Sequence, residues 1–291
     1  MTDFIYRNLD KAALEKEYNP ATTAPNAGEL QVQRRERSRA AREKLLCSLD
    51  VPYGGAGGET LDIFFSGKKD SPVQLFFHGG SWRGQDKFNY SYMAEPLVAA
   101  GVTVLVVNYD LCPSVTLDEV VRQCNASVAW AYANARAFGA DPNRISVCGH
   151  SAGGHLAVRT LETDWSAFGR TPDDVVKACA SISGLYDLEP IRLSSTNNDV
   201  RLDVEQCLRN SPMTRTPRRR VPMILSVGDS DNNEFQRQTK DFAAALTAKS
   251  YAFDYVEAKG LNHFTILDAM LDPKHALGKA LIQQALNAGR S

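Results

Sequence analysis

RISVCGHSAGG, residues 144–154, places Ser151 between Gly149 and Gly153 in a GxSxG pattern, behind a strand-like run and ahead of a helical one. In that context the glycines let the chain turn tightly enough to lift a serine hydroxyl above a sheet, as a nucleophile requires. A plain glycine-rich turn would share the composition, but the strand-turn-helix setting favours the nucleophile. A hydroxyl attacks a carbonyl only when a base takes its proton and a third group orients that base.

Five histidines are available for the base. His78 and His150 belong to glycine turns, His155 lies on the helix after Ser151, and His275 sits in a late helical stretch. His263, in KGLNHF, falls in a loop after the strand-like FDYVEA and before the last helix, so it is the expected base. For the acid, PMILSVGDSDNNEF offers Asp229 and Asp231 at the end of a strand, and position alone leaves both open, since either could serve only the turn. The chain order Ser, Asp, His is that of α/β-hydrolases.

The stretch LFFHGGSWRG, residues 75–84, supplies the remaining chemistry. An attacked carbonyl oxygen becomes an anion, which needs backbone N–H donors close by. Gly79 and Gly80 let backbone approach that oxygen with no side chain in the way, and Ala152, after the nucleophile, supplies a second donor. His78 is expected to pin this loop rather than act as a base. Trp82 is expected either to line the substrate pocket or to fill the core. Neither HExxH nor CxxC occurs, so a metal mechanism and a redox pair are not signalled, and no cofactor is expected.

The elements that must carry these residues alternate: VQLFF, TVLVVNY, a helical stretch from Thr116 to Phe138, RISVCG, helical HLAVRTLE, KACASIS, PMILSVG, helical EFQRQTKDFAAAL, FDYVEA and a helix beyond Thr265. Strands alternating with helices imply a mostly parallel sheet covered on both faces. YGGAGGET, residues 53–60, precedes a strand instead of following one, so it reads as a turn rather than a dinucleotide loop. The expected organisation is one domain over residues 1–291, with a helical N-terminal segment over about 1–50 and a cap insertion over about 186–220. The arginine-rich run at 29–46 is broken by Glu36 and Glu43 and reads as a solvated helix face without function. Arg218, Arg219 and Arg220 read as a solvated basic loop, with a substrate carboxylate as the alternative partner.

With 43% hydrophobic residues, 23% charged residues and a net charge of −1, the chain has an ordinary globular balance that suggests neither nucleic-acid nor membrane partners. No secretory signal is visible, and the six scattered cysteines are expected to be reduced, so the expected location is cytoplasmic. Monomer and homodimer remain open.

HGGSWRG, GHSAGG, SISGLYDLEPIRLS, RNSPM, and VGDSDNNEFQRQ followed by LNHF together resemble the serine-dependent arylformamidases (kynurenine formamidases) of the α/β-hydrolase superfamily. YRNLDKAALEKEYNP resembles their N-terminal segment as well. The resemblance implies Ser151 as nucleophile, His263 as base and Asp231 as acid, because the family's acid stands three residues before a Glu-Phe pair, here Glu234-Phe235. It implies an oxyanion hole from Gly79, Gly80 and Ala152. The family commonly carries an aromatic where Ser81 stands and another near Ser195 in the cap segment, which implies a wider pocket here. The expected activity is removal of a small formyl or acetyl group from an aromatic amide, the alternatives being a carboxylesterase for short acyl esters and a non-catalytic small-molecule receptor.

Overall fold

A computed structural model of the chain describes residues 3–215 and 217–290. Eight strands form one sheet: β1 (Cys47–Pro52), β2 (Thr60–Phe64), β3 (Ser71–Phe77), β4 (Thr103–Val107), β5 (Ala140–His150), β6 (Val176–Ile182), β7 (Met223–Ser226) and β8 (Asp254–Tyr255). Their spatial order is β1-β2-β4-β3-β5-β6-β7-β8, antiparallel at β1/β2 and β2/β4 and parallel throughout the rest. Every residue of β3 and β4 is buried, as expected of parallel strands covered on both faces.

The period of two along β3 divides the core. Leu75 and Phe77 face one side with Val120, Val128, Leu156 and Phe242, while Phe76 faces the other with Val104, Leu267 and Leu281. The helices that cover these faces are α1 (Lys11–Glu17), α2 (Ala27–Lys44), α3 (Glu95–Ala100), α4 (Leu117–Asn134), α5 (Ala152–Thr160), α6 (Glu189–Leu193), α7 (Asn197–Val200), α8 (Val204–Asn210), α9 (Asn233–Ala248), α10 (Ile266–Leu271) and α11 (Ala276–Asn287). Their ends follow local chemistry: the Thr116 side chain caps α4, Gly101 closes α3 at φ 94°, and Asp203 with Gln206 forms a capping box on α8.

Three short helices, α6 to α8, occupy the stretch expected to be an insertion, of which residue 216 lies outside the described residues. Arg209 in the last turn of α8 reaches Asp118 on α4 at 2.7 Å, fastening this stretch to the helical layer. The N-terminal segment is fastened too. Tyr18 donates to Glu234 on α9 at 3.0 Å, and Asn232 donates to the Lys16 carbonyl at 3.0 Å. Among the described residues no helix is long and apolar enough to cross a membrane.

Candidate active site

Ser151 occupies the junction between β5 and α5 at φ 58° and ψ −125°, a conformation that costs a non-glycine residue on the order of 1–3 kcal/mol. Its surroundings hold it there. The Ser151 N–H donates to the Ile182 carbonyl at 2.9 Å, and the strand and helix cross so closely that flanking side chains would not fit. A Cβ on Gly149 would stand 2.1 Å from the Gly153 carbonyl oxygen, and one on Gly153 would stand 2.0 Å from that of Phe77. Both glycines of the pattern are therefore steric requirements.

The loop after β3 lies against this elbow. A Cβ on Gly79 would come within 3.1 Å of the Ser151 Cβ, while Gly80, at φ 119°, leaves no room for one beside the Gly84 carbonyl. His78 is fully buried; its Nδ1 bonds the Gly79 carbonyl at 2.7 Å, and Tyr109 donates to the His78 carbonyl at 2.7 Å. Burial lowers the pKa of His78, so the ring is a neutral brace for the loop, as its position in the sequence suggested. Ala152 begins α5, where N–H groups have no carbonyl partner one turn earlier.

Across the cleft, Asp231 and His263 meet: His263 Nδ1 stands 2.9 Å from Asp231 Oδ2, with both side chains buried. The other carboxylate oxygen accepts from the Asn232 N–H at 2.8 Å. Asp229, the alternative, is exposed and accepts from the Gly260 N–H at 2.7 Å, which makes it a turn residue. The loop bearing His263 is held by Asn262, whose Oδ1 accepts from the N–H groups of Phe264 and Thr265 at 3.0 Å each. The imidazole packs against Phe235 and His150, with ring centroids at 4.4 and 4.6 Å, and His150 Nε2 bonds the His263 carbonyl at 2.8 Å. Burial first, then the neighbouring His263, pushes the pKa of His150 well down, so its Nε2–H is the donor of that bond.

Ser151 and His263 open onto one cavity of about 180 Å³, also bounded by Gly79, Gly80 and Ser81. Two expectations about this cavity are corrected. Trp82 is fully buried, with its indole N–H donating to His155 Nδ1 at 3.2 Å, so it is core rather than pocket wall. Ser195 is exposed and bonds Glu15 on α1 through both its N–H and its hydroxyl, so only Ser81 of the two serines shapes the pocket. Arg218 and Arg219 pair instead with Asp164 and Asp173, and Arg220 bonds the carbonyls of Ser250 and Lys249, as a solvated loop would.

A third correction concerns α2. Arg34 is buried and lines the cavity with Tyr90, Phe264 and Leu267, although the helix read as a solvated face. The signal lay in the spacing of small residues: Ala27, Arg34, Ser38 and Ala41 form the buried stripe, and Ser38 and Ala41 mark the side that approaches the protein.

Comparison with known proteins decides the family, for the BD-FAE model matches residues 61–246, more than half of the chain. The chain belongs to the BD-FAE family. It is 30% identical to the kynurenine formamidase of Danio rerio over 96% of this chain and 97% of that one. Esterase LipC of Mycobacterium tuberculosis is 28% identical over 94% of this chain and 71% of its own length. A Silicibacter protein described provisionally as a thioesterase superposes with a TM-score of 0.83 at 25% identity, covering 93% of this BD-FAE chain and 98% of that one. The fold is that of α/β-hydrolases, and the relatives of this BD-FAE chain hydrolyse amides and esters.

Proposed function

We propose that this BD-FAE protein is a serine hydrolase that cleaves a formyl or acetyl group from an aromatic amide through an acyl-enzyme on Ser151. The observation that carries the reading is the buried Asp231–His263 bond beside a cavity that also exposes the strained Ser151 elbow. With Nδ1–H held by Asp231, the imidazole presents Nε2 as the basic nitrogen. Ser151 Oγ attacks the amide carbonyl while His263 takes its proton, and the carbonyl oxygen becomes an anion. That anion is held by N–H groups of the 79–80 loop and of Ala152. Collapse breaks the C–N bond, and the arylamine leaves with the proton returned by His263. Water, deprotonated by the same imidazole, then attacks the acyl ester and releases formate or acetate with the serine restored.

The kynurenine formamidase relatives support the amide reading over nearly the full chain. The esterase relatives support a second reading, cleavage of short acyl esters by the same residues. A receptor without catalysis would have no use for the full set of nucleophile, base and acid. We read the chain as one catalytic domain, in the cytoplasm, whose N-terminal arm and α6 to α8 brace the site; its six cysteines are free. With Ser81 at the wall, formyl and acetyl amides should differ modestly, since a methylene in an apolar pocket is worth about 1–3 kcal/mol. The test is a panel of N-formyl and N-acetyl aryl amides against nitrophenyl esters. Turnover of the formyl amides supports the reading, whereas esters alone would favour the second one.

A further inference from the structure

We infer that Arg34 and Arg35 on α2 form a carboxylate-binding subsite of the catalytic cavity, so that the preferred aromatic amide carries a carboxylate on its arylamine side. Arg34 is 6% exposed, yet its guanidinium is only partly used. Nη2 donates to the Phe264 carbonyl at 2.6 Å and stands 3.6 Å from Asp268 Oδ2, a carboxylate that is nearly half exposed. Nε is buried with no hydrogen-bond partner among the described residues. A buried, unmatched N–H of a cation is costly unless something arrives to accept it. Arg35, next along, also borders the cavity and has no carboxylate within ion-pair distance among the described residues. Gln31, one turn earlier, adds a neutral amide to the same wall.

The charge of the wall is one-sided. Two guanidiniums border the cavity that holds Ser151 and His263, and the residues lining it include neither Asp nor Glu. Tyr90, Phe264 and Leu267 supply apolar surface for a ring in the same cavity. A planar guanidinium fork matches a carboxylate, and a cationic wall whose only carboxylate partner among the described residues, Asp268 beside Arg34, is nearly half exposed favours an anion over a neutral isostere. A purely structural Arg34 would need only its bond to the Phe264 carbonyl. That role explains neither the unmatched Nε nor the second guanidinium.

The part of this inference that concerns the substrate rests on the proposed amide hydrolysis; the carboxylate recognition does not, so binding and turnover are measured separately. Wild type, Arg34→Gln, Arg34→Lys and Arg35→Gln are titrated calorimetrically with 2-aminobenzoate and with aniline. The ratio of kcat/KM for 2-formamidobenzoate over formanilide is determined for each. Wild type should bind 2-aminobenzoate at least about tenfold more tightly than aniline and show a similar ratio in turnover. Arg34→Gln should lower both preferences by about tenfold or more, Arg34→Lys less, and Arg35→Gln by a smaller factor. Equal binding of the two probes by wild type would overturn the subsite, as would preferences unchanged in both glutamine variants. Should Arg34→Gln fail to fold, wild type and the exposed Arg35→Gln still decide the matter. Arginine-dependent binding of 2-aminobenzoate without turnover of either amide would sustain the subsite and sink the amide reading instead.

Discussion

Position after the strand leaves the carboxylates at 231 and 229 indistinguishable, because both follow the same strand and both suit a turn, and only the family resemblance favours Asp231. Burial separates them: Asp231 is 4% exposed and faces the imidazole, while Asp229 is exposed and closes a turn with Gly260. Asp231→Asn should therefore lower kcat by about four orders of magnitude, since an amide cannot hold the required tautomer or stabilise the imidazolium. Asp229→Asn should cost less than about tenfold, as expected of an exposed turn residue. Steady-state kinetics on one aryl amide checks both, and comparable losses would remove Asp231 from its role. The serine and the histidine were legible because their neighbours are distinctive. The glycines beside Ser151 are needed to avoid backbone collisions at about 2 Å, and such a requirement leaves a mark in sequence. Arg34 left a weaker mark, because a charged residue on a helix full of charges reads as solvent-facing unless the small residues beneath it are noticed.

Helices and strands that carry the site were legible wherever one pattern ran long enough. The parallel strands β3 to β7 announce themselves as apolar runs, and α4 and α9 as long stretches of helix formers. β1 did not, since CSLDVP is half exposed, lacks alternation and carries Asp50 at φ 54°. Ties between elements were equally invisible. His155 on α5 accepts from the Trp82 indole at 3.2 Å and donates through Nε2 to the Asn210 carbonyl at 2.7 Å. One ring thus joins the elbow helix, the glycine loop after β3 and the end of α8. His155→Leu would leave a buried indole N–H and a buried carbonyl without partners, each at a cost of about 1–3 kcal/mol. Urea unfolding should show that loss, and kcat should fall as the glycine loop loosens. Unchanged stability would mean that the tie contributes nothing.

Over the molecule as a whole, three buried imidazoles, His78, His150 and His155, are held neutral, and burial is the leading cause in each. His155 is lowered from 6.5 to about 3. Below pH 6.5 the unfolded chain binds protons that the folded one refuses, so stability is full above that value and falls as pH drops toward the folded pKa. Each such histidine contributes up to about 1.4 kcal/mol per pH unit within that window. The urea midpoint should accordingly drop between pH 7.5 and pH 5, and His155→Gln should show a shallower decline. A midpoint independent of pH in this range would mean that these rings are protonated in the folded protein. The mostly parallel sheet and its two covered faces were anticipated by the alternation of elements, whereas the order of the strands and the closure of the site by α2 depend on long-range contacts that alternation does not report. What the whole arrangement serves is one attacking oxygen. The most direct test is kcat of Ser151→Ala on an N-formyl aryl amide, with circular dichroism confirming an unchanged fold: a loss of at least about a thousandfold is expected, and retention of more than about a hundredth of wild-type kcat would contradict the acyl-enzyme on Ser151.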